Sequence, residues 1–416
     1  MRTGDKKLKN NDFSPPSRQA LHLAKRMGRV GTSPTAAVSE RVRAFQRDGI
    51  EITNLGEGEL DFATPDHVAD AAKQAIDRHE TKYTAVAGTA ALKEAIRTKF
   101  RRDNELDFSA DEIIAASGAK QIIFNAFLAT LDAGDQVIIA APYWVSYPDM
   151  IRLTGADPVV VSTTADQGWK LTPDALAKAI TPHTRWVVLN SPGNPTGAIY
   201  TAAELAALLE VISPHPQILV LADDIYEPLR YGMPFATPLQ IRPDLRDRIL
   251  TVNGVSKSHA MTGWRLGYGA GPRWLIAALD ILQSQSTSNP SSISQAAAVA
   301  ALNAPPIFLQ SWLETLAARR DIVLDMIAGI PSCSARRPDG AFYVFMAVSK
   351  WLATTGQTLG LKTDVDMASW LIETARVATV PGSAFGTPGH LRIAYAVETQ
   401  VLRDSCERIK AACTPR

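Results

Sequence analysis

Six short apolar runs constrain this chain more than any other feature: IIAA at 113–116, QVIIA at 136–140, PVVV at 158–161, RWVVLN at 185–190, QILVLAD at 217–223 and ILTVNG at 249–254. A strand with one wet face alternates apolar and polar residues. These runs do not, so they read as strands buried on both faces. Helical patterns separate them from about residue 60 to 310. In one, Thr64 and Pro65 read as N-cap and first helical residue, and Val68, Ala71, Ala72, Ala75 and Ile76 share one face. Buried strands alternating with helices imply an α/β fold, a large domain whose mostly parallel sheet is covered by helices. From about 313 the style changes to a long helical pattern, the strand-like AFYVFMAV and a final helix. That reads as a smaller α+β domain, formed by 31–59 together with 313–416, beside a large domain over 60–312.

Composition narrows the partners. The 416 residues are 46% hydrophobic and 20% charged, values of a soluble globular protein, and 43 basic residues face 42 acidic ones. Such a balance supplies no field for nucleic acid or an anionic membrane, so a small molecule is the expected partner. Cys333, Cys406 and Cys413 are too few and too scattered for a disulfide framework or a zinc site; no metal is expected, and a reducing compartment is. No run of 18 apolar residues and no signal-peptide core is found, so the expected location is cytoplasmic. The N-terminal arm, residues 1–30, is basic: Lys6, Lys7, Lys9, Arg18, Lys25, Arg26 and Arg29 stand against Asp5 and Asp12. Residues 1–15 read as a solvated tail, and the acids argue against a transit peptide. Neither internal repeats nor low-complexity tracts are present.

Open α/β sheets bind ligands beyond the carboxyl ends of their strands. The polar residues after each run are therefore the candidates: SGAKQ, APYW, SPGNPTG, DDIY, and Lys257 in NGVSKSHAMTGWRLGYGAGP. Lys257 stands alone among small and polar residues. Desolvation and nearby cations there lower an amine's pKa and free it as a nucleophile able to form a Schiff base with an aldehyde. Asp223 ends an apolar strand, where a carboxylate is costly unless a cation or donors meet it; it reads either as a cap for the segment from Asp224 or as the partner of a pyridinium nitrogen. Tyr226 and Asn194 could both reach the hydroxyl of such a ring, although Asn194 also suits a Pro/Gly turn. Trp144 could stack on the ring or simply pack in the core. Gly118 and Ala119 open a helix, so their N–H groups can cradle a phosphate, with Arg265 as a bidentate partner. GYGAGP lacks the GxGxxG spacing of a nucleotide fingerprint and reads as close backbone approach.

Through NSPGNPTG, DDIYEPLRY, SKSHAMTGWRLGY and HLRIAYA, in order and from about residue 30 to the end, the chain resembles the class I aminotransferases of pyridoxal-phosphate fold type I, in their aspartate aminotransferase branch. The resemblance implies pyridoxal 5'-phosphate as cofactor, bound by the 60–312 domain. Lys257 is then the Schiff-base lysine and proton shuttle, Asp223 the partner of the pyridine nitrogen, and Tyr226 and Asn194 the partners of the ring oxygen. Trp144 stacks on the ring; Gly118, Ala119, Ser256 and Arg265 hold the phosphate. Tyr83, in KYTAVAGTAALKEAI, is similar to the tyrosine that reaches the partner subunit's phosphate, which implies a homodimer with shared sites. Arg392 resembles the arginine that grips the substrate α-carboxylate, a two-pronged contact lysine cannot copy. Gly58 resembles a glycine lying against the substrate, beside Trp144 and Asn194. Leu60, Asp224 and His259 depart from the family pattern without removing a chemical group, and Gly254 replaces a serine that in some relatives binds phosphate.

Lys120 resembles a lysine that approaches the distal carboxylate of a dicarboxylic substrate, which implies amino transfer between L-aspartate and 2-oxoglutarate in two half-reactions. The alternatives are an aromatic or prephenate aminotransferase, and, on the same lysine, an elimination lyase or a cyclopropane-forming synthase. A DNA-binding regulator with an aminotransferase-like domain needs a helix-turn-helix domain, for which the residues before 30 are too few.

Overall fold

The computed structural model describes residues 23–414. The tail expected over 1–15 lies outside them; Lys25–Arg29 forms a short 3₁₀ turn. Next come α1 (Pro34–Arg47) and the two-residue strand β1 (Thr53–Asn54). Then α2 (Asp66–Asp77) and α3 (Ala90–Asn104) lead into the central sheet. Thr64 does not cap α2. Its hydroxyl donates to the Ala260 carbonyl at 2.9 Å and accepts from Trp264 Nε1 at 3.0 Å, leaving Pro65 at the cap. Val68, Ala72 and Ala75 are buried as the periodicity implies, while Ile76 is 49% exposed at the edge of that stripe. α3 starts at Thr89, whose hydroxyl accepts from the Leu92 N–H at 3.2 Å. It stops where Glu105 turns left-handed.

Seven strands build the sheet: β2 (Ile113–Ala116), β3 (Gln136–Ala141), β4 (Asp157–Ser162), β5 (Thr184–Asn190), β6 (Leu219–Asp223), β7 (Ile249–Gly254) and β8 (Gly267–Ala270). Their order is β2-β8-β7-β6-β5-β3-β4. The runs β3 to β7 pair in parallel, and only β8 runs antiparallel, between β2 and β7. Six of the seven are the apolar runs of the sequence. β4 departs from the expectation of burial on both faces: as an edge strand it has one neighbour, and Val160 is 44% exposed. β8 was hidden in GYGAGP because glycine carries no β signature.

Those glycines are required by α4 (Ala119–Thr130), which lies directly on β8. A Cβ on Gly267 would sit 2.1 Å from the Ala119 nitrogen, and one on Gly269 2.9 Å from Ile122. The close approach brings the first turn of α4 to the carboxyl ends of β2 and β7, whose last residues Ala116 and Gly254 pair with Gly267.

Beyond the sheet, the helix Leu309–Ala328 precedes β9 (Ser334–Ala335) and β10 (Tyr343–Ala347). After the helix Asp364–Ala375, β11 (Val377–Ala378) pairs in parallel with β1. β12 (Val380–Pro381) and β13 (His390–Ala394) complete a four-stranded antiparallel sheet ordered β12-β13-β10-β9. The final helix, Thr399–Cys413, packs with Leu309–Ala328 over a second core that includes Val323, Trp351, Leu371, Leu402 and Ile409. α1 is tied to the same unit: Val42 packs with Ile372 and Ala378, and Arg41 bonds Ser369 at 2.7 Å and Glu373 at 2.8 Å. No helix among the described residues is long and apolar enough to cross a membrane.

The backbone clash built into Gly267 makes a test of this packing. Gly267→Ala should cost about 3 kcal/mol or more, whereas Gly263→Ala, with nothing within 4 Å of the new methyl, should leave thermal unfolding nearly unchanged. Equal melting curves for the two variants would rule out the α4–β8 contact.

Candidate active site

Parallel pairing sets Asn190 opposite Asp223 and Asp223 opposite Val252, so β5 and β6 finish level and β7 runs two residues further, to Gly254. The loops leaving them enclose a cavity of about 530 Å³, whose wall includes Gly58, Gly118, Ala119, Lys120, Trp144, Asn194, Asp223, Tyr226, Ser256, Lys257, Arg265 and Arg392. All but one of the candidate site residues from the sequence therefore converge here. The exception is Tyr83, which is 90% exposed on a loop away from this chain's own cavity.

Lys257 lies in a one-turn helix, Val255–Ser258, and its ammonium donates to the Gly58 carbonyl. Burial pulls its pKa down to about 8; Arg392 and Arg265 act in the same direction and Glu59 opposes them. Asp223 is buried, and burial raises its carboxyl to about 6 against hydrogen bonds from Tyr147 and the Ile225 N–H that favour the ionised form. Tyr147, in the first turn of the helix Tyr147–Thr154, donates to one carboxylate oxygen of Asp223. Asn190 ties two loops together, with Nδ2 donating to the Asp223 carbonyl at 2.8 Å and Oδ1 accepting from the Asn194 N–H at 2.9 Å. The Tyr226 and Tyr343 hydroxyls are 2.8 Å apart.

Arg392 sits mid-strand in β13, between β10 and β12, and is 2% exposed. Its guanidinium donates to Asn194 Oδ1 at 3.0 Å and to the Gly56 carbonyl at 2.6 Å, and it faces the rings of Tyr343 and Phe385. Among the described residues no carboxylate pairs with it, and Nε has no partner. A buried cation met only by neutral acceptors is costly, so the site is built to receive an anion.

At the other end, Arg265 lies against Gly118 so closely that a Cβ there would be 2.7 Å from its Nη2. Its Nη1 donates to the Thr262 carbonyl at 2.9 Å. Gly118 is the N-cap of the 12-residue α4, so a guanidinium and the positive end of a helix share one recess, which suits a phosphate. Ser256 lines the recess with its hydroxyl only weakly engaged, 3.5 Å from the Leu266 carbonyl. Gly254 is explained by space: a Cβ would meet the Gly267 Cα at 3.1 Å and Ile225 at 3.2 Å. Lys120 holds its ammonium 5.0 Å from the Trp144 ring centroid at the cavity rim.

Sequence reasoning passed over Tyr147, Asn190 and Tyr343. Tyr147 could have been found three residues after Trp144 in PYWVSYP, and Asn190 as the polar end of its run. Tyr343 sits inside AFYVFMAV and carries no signal separable from a core aromatic.

The chain belongs to the class I and II aminotransferases, whose family model matches residues 50–409. It is 50% identical to an aspartate aminotransferase of Rhizobium meliloti over 94% of this chain and 96% of that one. An aspartate/prephenate aminotransferase of Cereibacter sphaeroides is 49% identical over 94% and 98%. Among solved structures, the Rhizobium meliloti aspartate aminotransferase superposes with a TM-score of 0.90 at 50% identity, covering 94% of this chain and 99% of that one. That of Thermus thermophilus with maleate superposes with 0.88 at 39% identity, over the same shares. The protein is thus an aminotransferase, with the mixed α/β fold of those relatives.

The raised Asp223 carboxyl carries a pH dependence. Between pH 4 and 6 the folded, cofactor-free protein holds a proton that the unfolded chain has released, so stability falls as pH rises through that window. Asp223→Asn should remove a decline on the order of 3 kcal/mol, read from urea unfolding across pH 4 to 7. Identical slopes for both proteins would show that Asp223 is ionised throughout.

Proposed function

We propose that the protein transfers the amino group of L-aspartate to 2-oxoglutarate, with pyridoxal 5'-phosphate as its cofactor. The observation that carries this reading is the set of charges the cavity leaves unmatched. Arg392 and Lys120 have no carboxylate partner among the described residues, and the buried Asp223 has no cationic one. A dicarboxylic substrate beside a cofactor with a ring cation, a phosphate and an aldehyde answers each of them. The names of the relatives support the substrate, two as aspartate aminotransferases and several as aspartate/prephenate ones.

In this reading Asp223 holds the ring nitrogen protonated, with Tyr147 fixing the carboxylate. Tyr226 and Asn194 hold the ring oxygen, Trp144 covers a ring face, and Gly118, Ala119, Ser256 and Arg265 hold the phosphate. When bound, pyridoxal 5'-phosphate supplies an electron sink for the pair left on the substrate α-carbon. Arg392 grips the α-carboxylate through two N–H groups, with Gly58 close against the substrate. Lys257 Nζ, its affinity for protons reduced by burial, takes the proton from the α-carbon and would deliver it to the C4' carbon of the bound cofactor, which keeps the amino group. The keto acid leaves, and a second keto acid is aminated by the same residues in reverse.

A second reading, acceptance of aromatic or prephenate-like substrates, draws on Trp144, Tyr343 and Phe385 beside Arg392 and on the names of several relatives. Tyr83 supports a homodimer with shared sites, because its exposed ring has no role in its own chain's cavity. The Tyr83 loop is held by Gln295, which accepts from the Thr89 N–H at 2.8 Å and donates to Thr84 at 3.0 Å. We further propose a division into a large unit over 60–312 and a small one from 31–59 and 313–416, supported by the β1–β11 pairing. A cytoplasmic location is in keeping with three free cysteines.

The decisive assay adds L-aspartate without keto acid to the cofactor-loaded protein. Stoichiometric oxaloacetate with a change in cofactor absorbance is expected; ammonia release instead would mean a lyase. Lys257→Ala should lose covalent cofactor and at least about a thousandfold in turnover. Lys120→Ala should raise KM for aspartate about tenfold, ~1.4 kcal/mol, and leave phenylalanine unaffected; an equal effect on both, or none, would remove Lys120 from substrate selection.

A further inference from the structure

A second cavity, of about 650 Å³, lies behind the lysine turn and shares no lining residue with the first. Consecutive residues divide between the two. Tyr226 and Lys257 face the first cavity, whereas Glu227 and Ser258 face the second. Three residues of its wall, Lys99, Glu227 and Asn253, join Asn104 in a closed set of polar groups that the chemistry above does not use.

Glu227 is its centre, a carboxylate only 4% exposed. One oxygen accepts from the Lys99 ammonium and from Asn253 Nδ2 at 2.6 Å; the other accepts from Asn104 Nδ2 at 2.8 Å. The Lys99 ammonium also donates to Asn104 Oδ1 at 2.7 Å, and Asp103 stands 4.0 Å from it. Asn253 closes the set, its Oδ1 accepting from the Gly254 N–H at 2.7 Å. Lys99, Asn104 and Asn253 are all buried, and every polar side-chain atom named has a partner.

The placement of these four residues in the chain gives the set its meaning. Glu227 follows Tyr226 directly and Asp223 by four residues. Asn253 precedes Lys257 by four, and Lys99 and Asn104 belong to α3. One carboxylate therefore links a rigid helix to both loops that carry the groups assigned to the cofactor. A buried ion pair is weak evidence for stability, since well-packed apolar residues of like volume often do as well. Directional bonds do what apolar packing does not: they hold two loops in one register. The need is acute at Gly254, which packs against Gly267 with no side chain of its own to lock it.

We propose that Glu227, braced by Lys99 and Asn104, is a positioning residue for amino transfer: through Asn253 it holds the lysine turn in register with the loop bearing Asp223 and Tyr226. This rests on the reading of Lys257, Asp223 and Tyr226 given above. None of the four residues lines the first cavity, so their influence passes through the backbone at 223–227 and 253–257.

The test uses cofactor-loaded Asn253→Ala and Glu227→Gln, with wild type alongside. Asn253→Ala removes the link to the turn without leaving a charge unpaired. Three quantities are read: the pH midpoint of the cofactor absorbance change without substrate, the kcat and KM for aspartate, and the melting temperature. Both variants are expected to lower kcat about tenfold with KM within about twofold, since a small misplacement of a reacting group is costly. The absorbance midpoint should also move by at least about half a pH unit. A lower melting temperature with unchanged kcat and midpoint would make the set merely structural and overturn the inference. Should Asn253→Ala fail to fold, Asn253→Ser is judged by the same criteria. A wild-type protein that forms no coloured complex would overturn the cofactor reading and this inference together; a working wild type beside equally working variants overturns only the inference.

Discussion

The parallel pairing of three strands, which brings their carboxyl ends to one edge of the sheet, is the constraint on which the site depends. β5, β6 and β7 pair so that Asn190 stands beside Asp223 and Asp223 beside Val252, a few residues short of Lys257. The loops leaving β5 and β6 cross over to parallel neighbours through the helices Ala202–Ile212 and Pro238–Ile241, whereas the turn carrying Lys257 leads from β7 into antiparallel β8. The opposite wall comes from β13 and β10, which carry Arg392 and Tyr343, and from Gly56 and Gly58 beside β1. Groups from widely separated stretches of chain, from Gly58 to Arg392, thus face one cavity. No local piece of the sequence could have assembled it.

Electrostatics then decides what the cavity holds. Protein interiors match buried charges, yet this one leaves Arg392 among neutral acceptors and rings, and Asp223 among a phenol and amides. The cost of these unmatched charges is met elsewhere in the fold, by the apolar cores on the two faces of the sheet and beneath the helix Leu309–Ala328. Behind the lysine turn the opposite logic holds, since Lys99, Glu227, Asn104 and Asn253 satisfy one another. An unmatched set receives ligands, and a matched set holds backbone still.

Much of the site was legible because strand ends and turn chemistry leave local marks. Asp223 was visible as a carboxylate closing an apolar run, Gly118 as a glycine opening a helix, and Lys257 as a lone lysine among small residues. Their roles came from resemblance to a family, not from spacing. What escaped notice was governed by distant contact. β8 reads as a glycine-rich loop until α4 is seen lying 2.1 Å from where its Cβ would be. Thr64 has the credentials of a cap and instead bridges Ala260 and Trp264. PVVV looks buried on both faces, but its place at the edge leaves Val160 to solvent.

By itself the sequence determined the class of fold, through uninterrupted apolar runs that only a sheet covered on both faces can bury, and it marked the residues able to do chemistry. Tertiary structure alone decided which of those residues meet, which charges stay unmatched, and that Tyr83 turns away from its own chain's cavity. The physical reason is range. Periodicity and capping are settled within a few residues along the chain, whereas desolvation and charge pairing depend on neighbours that only folding brings together.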